Sequence, residues 1–81
     1  MSNILVVGAC GQIGIELVIE LRKLFGLDNV LASDIKEHCP PSLAEGKYVQ
    51  FDIMDHNALV KIVKENNIKQ IYLLAFSVMK Y

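Results

Sequence analysis

Three glycines, Gly8, Gly11 and Gly14, stand at spacing three and three between a solid apolar run and an amphipathic stretch, and nothing else in the sequence narrows the choice of fold as far. Residues 3–8 (NILVVG) are apolar on both alternating faces, as a strand reads when a parallel sheet covers it above and below. Gln12–Phe25 carries Ile13, Leu17, Leu21 and Leu24 at helical spacing, with Val18 and Phe25 widening that face, so a helix is predicted there. Gly26 follows, where a helix end commonly takes a left-handed residue. The unit is strand, tight turn, helix. Gly8 lets the chain turn sharply, Gly11 leaves the backbone bare, and Gly14 lets the helix sit close on the sheet.

The remaining chain repeats that alternation. Residues 29–33 (NVLAS) predict a second strand closed by Asp34, and residues 36–46, with two prolines, a loop holding at most a helical turn near 42–45. Residues 47–52 (KYVQFD) predict a third strand. Asp55 is placed to cap a helix over His56–Asn66, with Leu59, Ile62 and Val63 facing in, and residues 70–75 (QIYLLA) predict a fourth strand. The order β-α-β-β-α-β argues for a parallel α/β sheet in one domain spanning residues 1–81. The connection from Ser33 to Lys47 is its weakest point, because a full crossover helix would barely fit there.

A bare-backbone turn opening a helix is a phosphate site in waiting, since the first helical N–H groups and the positive dipole end face whatever approaches. Residues Gly8, Ala9, Cys10, Gly11, Gln12 and Ile13 are the candidates to wrap a pyrophosphate. Asp34 ends the second strand twenty residues after Gly14, near the spacing at which a carboxylate reaches the hydroxyls of an adenosine ribose. The bland alternative is a packing turn with Asp34 as a solvated loop acid. If the turn holds a dinucleotide, Asp34 selects NAD over NADP. A carboxylate about 4 Å from a 2′-phosphate is repelled by about 4 kcal/mol per charge pair at an effective dielectric of about 20. Lys36 offsets under about 1 kcal/mol of that from an exposed position. Asp52 and Ile53, ending the third strand, are candidates for the adenine edge and face, with a loop or capping role as the other reading of Asp52.

Several classes are disfavoured. Net charge is −1 with both signs interspersed, which offers no nucleic-acid surface, and no apolar run approaches the ~20 residues of a membrane span. The apolar share, 53%, is high for a soluble domain and fits strands covered on both faces. The first strand begins almost at Met1, leaving no room for a leader. Cys10 and Cys39 are isolated, so free thiols and a cytoplasmic location are expected. Cys10 lies beside a helix N-terminus, which could lower its pKa, although a small residue offering a backbone N–H is the simpler role. His38 and His56 lack partners at ligand spacing, and no metal is expected.

On its G-x-x-G-x-x-G spacing the sequence resembles the extended short-chain dehydrogenase/reductase superfamily, the NAD-dependent epimerases and dehydratases. GACGQIG over 8–14, ASDIK over 32–36, FDIMD over 51–55 and IYLLA over 71–75 look more narrowly like its L-threonine 3-dehydrogenases. The resemblance implies a partial Rossmann fold, a parallel sheet of about four strands in the order 3-2-1-4 with flanking helices. It implies that Gly8 through Ile13 hold the pyrophosphate of NAD, that Asp34, Ile35 and Lys36 hold the adenosine ribose, and that Asp52 and Ile53 contact adenine. The implied parent reaction is hydride transfer from L-threonine to NAD.

That chemistry uses a Tyr-x-x-x-Lys pair in the family. Tyr48 is followed four positions later by Asp52, Tyr72 by Phe76, and Tyr81 by nothing, so no catalytic residue is assigned and the chain alone is expected to be inactive. Residues 76–81 (FSVMKY) depart from the family's pattern, and the chain reads as a truncated N-terminal part. Two roles stay open: an NAD-adenosine-binding segment, or a non-catalytic fragment that pairs with itself or a longer relative. The second predicts a homo-oligomer formed through the sheet edge at residues 70–75.

Overall fold

The run ahead of the glycines becomes strand β1 (Ile4–Val7), and all four of its side chains are buried. The structure is a computed structural model that describes residues 3–74. β1 lies inside a parallel sheet completed by β2 (Val30–Asp34), β3 (Lys47–Gln50) and β4 (Gln70–Leu73), in the order β3-β2-β1-β4. Leu5 stands opposite Leu31 on one side and Ile71 on the other. This is the sheet of a partial Rossmann fold, as the resemblance implied. β2 starts one residue later than expected and takes in Asp34, and β3 ends at Gln50. The predicted end of β4 at residue 75 lies outside the described residues.

The pleat of the sheet sorts its apolar side chains into two layers. Ile4, Val6, Val30 and Ala32 pack with Val18 and Leu21 of helix α1 (Gln12–Phe25). Leu5, Val7, Leu31 and Phe51 pack on the other face with Ile62 of helix α2 (His56–Asn66). Asp55 caps α2 as expected, its carboxylate accepting the Ala58 N–H at 3.1 Å. Left-handed Asn67 closes the helix.

α1 has the bounds its periodicity predicts but shows a different face to the sheet. Its buried stripe is Gly14, Val18, Leu21 and Arg22. Ile13 is 73% exposed, Leu24 72% and Phe25 50%, against the expectation that these three face inward. The glycine contact decides the rotation: a Cβ on Gly14 would lie 2.4 Å from the Gly8 carbonyl oxygen, so position 14 must face the turn and Ile13 is carried outward. At the far end Gly26 has a positive φ of 95° with ψ of 152°, which is open to glycine but is not the left-handed helical conformation expected.

The doubtful connection between β2 and β3 is closed without a crossover helix. It contains only a 3₁₀ turn, Pro41–Leu43, next to the expected 42–45. Leu43 is fully buried in the α1 layer. Arg22, only 7% exposed, reaches from α1 and donates to the Leu43 and Lys47 carbonyls, each at 2.9 Å. Its Nε is buried without a partner among the described residues, and burial pulls the guanidinium below its usual pKa. Gly46 leaves the space this needs, since a Cβ there would lie 2.4 Å from Arg22 Cζ. An arginine thus takes over the anchoring that a helix would provide. Among the described residues, no helix is long and apolar enough to cross a membrane.

Candidate functional site

Parallel strands deliver their C-terminal ends to one edge of the sheet, and loops leaving that edge build the crevice where α/β folds bind ligands. Here the edge carries two adjoining clefts. One, of about 420 Å³, is lined by Val7, Gly8, Gly11, Asp34, Ile35, Lys36, Phe51, Asp52, Ile53, Met54 and Leu74. The other, of about 410 Å³, shares Gly8, Gly11 and Leu74 and adds Gln12, Ile13 and Gly14. Most of the candidate residues from separate stretches of sequence therefore meet in one trough. Ala9 and Cys10 line neither cleft.

The turn is held from beneath. Gly8, at a φ of 89° that side chains rarely adopt, donates its N–H to the Ser33 carbonyl at 2.9 Å, and Ala9 donates to the same oxygen at 2.9 Å. Ala9 is fully buried, so its amide and its methyl both serve the fold. The Cys10 N–H donates to Asp34 Oδ2 at 2.9 Å, so it is engaged inside the protein rather than offered outward. Burial also pushes the Cys10 thiol pKa up, against the lowering expected beside a helix N-terminus.

Gly11 is different. Its φ of −74° and ψ of 166° suit any residue, and a Cβ there would meet nothing within 4 Å. The fold has no internal need for glycine at this position. What the missing side chain leaves open is the space before α1. That helix has neither a side-chain cap nor an acidic residue in its first turn, whereas α2 has its Asp55 cap. The first-turn amides of α1 lack intrahelical acceptors, and the dipole makes that end favourable for an anion.

Asp34 closes β2 half-buried at the trough. Oδ2 accepts from Cys10, and Oδ1 accepts the Lys36 N–H at 3.2 Å. A carboxylate has about four lone-pair sites, so each oxygen keeps acceptor capacity for an incoming hydroxyl. Asp52 Oδ1 accepts the Met54 N–H at 2.9 Å, giving it the loop role foreseen as one alternative, and it also lines the cleft. Ile53 packs on the α2 layer. No group of three His, Cys, Asp or Glu residues able to hold a metal ion occurs among the described residues.

Sequence reasoning missed Ser33, Tyr48 and Gln50. Ser33 is fully buried and donates Oγ–H to the Val6 carbonyl at 2.8 Å. Tyr48 donates to the Lys36 carbonyl and touches Cys10 Sγ at 3.4 Å; Gln50 Nε2 donates to the Ile35 carbonyl at 3.1 Å. The signal was present as a Tyr-x-Gln alternation in β3, which puts both side chains on one face of the strand.

The model of the NAD dependent epimerase/dehydratase family matches residues 4–80. An uncharacterised epimerase/dehydratase of Staphylococcus aureus strain USA300 is 38% identical over 66 residues, which is 80% of this chain and 21% of that protein. The GalE-like L-threonine dehydrogenase of Cupriavidus necator superposes with a TM-score of 0.86 at 34% identity, covering 94% of this chain and 24% of that one. The L-threonine dehydrogenase of Phytophthora infestans gives 0.82 at 40% identity, covering 95% and 24%. The chain thus spans about a quarter or less of each of these relatives.

Proposed function

Because this chain belongs to the NAD dependent epimerase/dehydratase family, we propose that it holds the ADP-ribose half of NAD, as the N-terminal segment of an L-threonine 3-dehydrogenase-like oxidoreductase. The observation that carries this reading is the open space at Gly11, before an uncapped helix and beside a carboxylate. On this reading the donors and acceptors lining the trough are shared out along one ADP-ribose. The first-turn amides of α1 and the bare backbone at Gly11 take the pyrophosphate; Asp34, with Ile35 and Lys36, takes the ribose; Asp52 and Ile53 border the adenine. When bound, NAD supplies the nicotinamide that accepts a hydride, and no residue of this chain is assigned to that step. With no Tyr-x-x-x-Lys among its 81 residues, the chain by itself is expected to form no NADH from L-threonine. The two free thiols, Cys10 and Cys39, suit a cytoplasmic location.

Cofactor choice tests the reading. With only the adenosine end to grip, NAD should bind near the millimolar range, about −4 kcal/mol. NADP should bind about tenfold more weakly or worse, a gap of about 1.4 kcal/mol. Asp34→Ala should bring the two cofactors within about twofold, because the repulsion that separates them is gone. Calorimetric titration measures both. Equal binding of NAD and NADP by the unaltered chain would remove the reading.

A second reading, self-association, is favoured by β4. Among the described residues it pairs only with β1, and Ile71 and Leu73 on its α2-side face are 48% and 52% exposed. Covering about 400 Å² of apolar surface at about 25 cal/mol per Å² contributes about 10 kcal/mol before association costs of several kcal/mol. Sedimentation of the chain at tens of micromolar should give a mass above 9.1 kDa. A compact monomer would discard pairing through this edge.

A further inference from the structure

Four hydrogen bonds link the two halves of the trough in a closed ring. The Cys10 N–H donates to Asp34 Oδ2, and the Lys36 N–H donates to Asp34 Oδ1. The Tyr48 hydroxyl donates to the Lys36 carbonyl. That uses its single proton, so the 3.4 Å contact between Cys10 Sγ and Tyr48 Oη is made by the thiol as donor. The ring runs Cys10, Asp34, Lys36, Tyr48 and back to Cys10. Gln50, two residues beyond Tyr48 on the same face of β3, holds the neighbouring Ile35 carbonyl at 3.1 Å. Burial pushes the Tyr48 hydroxyl above its usual pKa, so it is protonated and able to donate at neutral pH.

The ring joins pieces that otherwise have little reason to keep a fixed separation. Ile35 and Lys36 are exposed, in a loop that leaves the sheet after Asp34. Tyr48 and Gln50 of β3 hold the Lys36 and Ile35 carbonyls, and without those side chains the carbonyls would turn to water and the loop would be tied to Asp34 through the Lys36 amide. We propose that Tyr48, supported by Gln50, is a positioning residue that sets Asp34 in register with the glycine turn, so that the site takes a nucleoside diphosphate as one unit, with its ribose diol at Asp34 while its phosphates sit at the turn. The proposal rests on the ADP-ribose reading and adds what fixes the spacing of that site. Tyr48 touches no ligand in this scheme. It acts through Lys36 and Cys10.

The test compares ADP with 2′,3′-dideoxy-ADP, which carries the same base and phosphates without the diol. In the unaltered chain ADP should bind about tenfold more tightly, the equivalent of about 1.4 kcal/mol. Tyr48→Phe removes both ring bonds and keeps the aromatic packing. The affinity ratio should then fall to about threefold or less. A general loosening of the domain would weaken both nucleotides alike and leave the ratio where it was, and that outcome overturns the proposal. Backbone ¹⁵N relaxation at residues 35–37 gives a readout without ligand: order parameters near about 0.85 should drop toward about 0.6 in Tyr48→Phe, while β1 keeps its values. Rigid residues 35–37 in the variant would also overturn it. Should Tyr48→Phe fail to fold, Gln50→Leu, at an exposed position, is expected to move ratio and relaxation in the same direction, and no movement there counts against the clamp. An unaltered chain that binds neither nucleotide overturns the ADP-ribose reading and, with it, the use assigned to the clamp. A clear diol preference that neither variant disturbs overturns the clamp alone.

Discussion

Gly14→Ala is expected to lower the stability of the chain by about 2–4 kcal/mol, toward the upper end of overpacking costs. A Cβ at position 14 would lie 2.4 Å from the Gly8 carbonyl oxygen, 2.8 Å from Ala9 Cα and 2.9 Å from Ala9 C. All three are backbone atoms, so no rotamer change relieves the overlap. Nor can the turn retreat, because the Gly8 and Ala9 amides are both fixed on Ser33. α1 has to lift instead, and lifting it loosens Val18 and Leu21 against Val6 and Ala32. Alanine's better helix propensity returns about 1 kcal/mol, which the loss exceeds. For 81 residues a total stability of about 4–12 kcal/mol is typical, so the variant loses a large part of its margin. Urea denaturation followed by circular dichroism measures the change. A midpoint equal to or above that of the unaltered chain would mean that α1 does not sit this close to the turn.

Gly11→Val should do the reverse. Its backbone angles suit valine and a Cβ there meets nothing within 4 Å, so stability should change by no more than about 1 kcal/mol, the usual scale for an altered helix N-cap. The isopropyl group would stand in the space before α1, where the proposed pyrophosphate must approach. ADP-ribose affinity should fall by at least about tenfold, 1.4 kcal/mol or more. Calorimetry beside the same urea titration separates the two effects. Unchanged binding in a folded Gly11→Val chain would place the ligand elsewhere. Lost binding at unchanged stability would show that the two glycines differ in kind: Gly14 is kept for the fold, Gly11 for what the fold holds.

How far the sequence could be read depended on whether the deciding contact was local. The bounds of α1 and α2 follow from periodicity and from one capping carboxylate, and both helices occupy the predicted residues. The parallel sheet follows from the alternation of elements, and its order was what the family resemblance implied; the structure has both. The rotation of α1 was not legible. The stripe at 13, 17, 21 and 24 is the more apolar of the two, yet the contact between Gly14 and Gly8 turns the helix so that 14, 18, 21 and 22 are buried instead. Arg22 was invisible for a similar reason: its partners are backbone carbonyls 21 and 25 residues further on, which leave no mark in the sequence. Within the site, Asp34 could be found from its spacing to the turn. The engagement of the Cys10 amide by that carboxylate, and the support from Tyr48, depend on β3 lying beside β2, which is a tertiary fact.

The pairing of β1 also sets an order of assembly. Ile4 meets Val30 across one short excursion that already contains α1, whereas its other partner, Gln70, arrives only after the whole intervening chain. Closing the longer loop costs roughly 0.8 kcal/mol more in chain entropy, at about 0.6 kcal/mol per doubling of length. The later strand also buries less, with Ile71 and Leu73 half exposed, so less is gained when it docks. On both counts β1, α1 and β2 are expected to assemble before β4, and β4 to detach before them when the domain opens locally. The glycine turn and Asp34 lie within that earlier unit. Leu74, which lines both clefts, follows β4, so the far wall of the trough is expected to open before the proposed phosphate and ribose positions do.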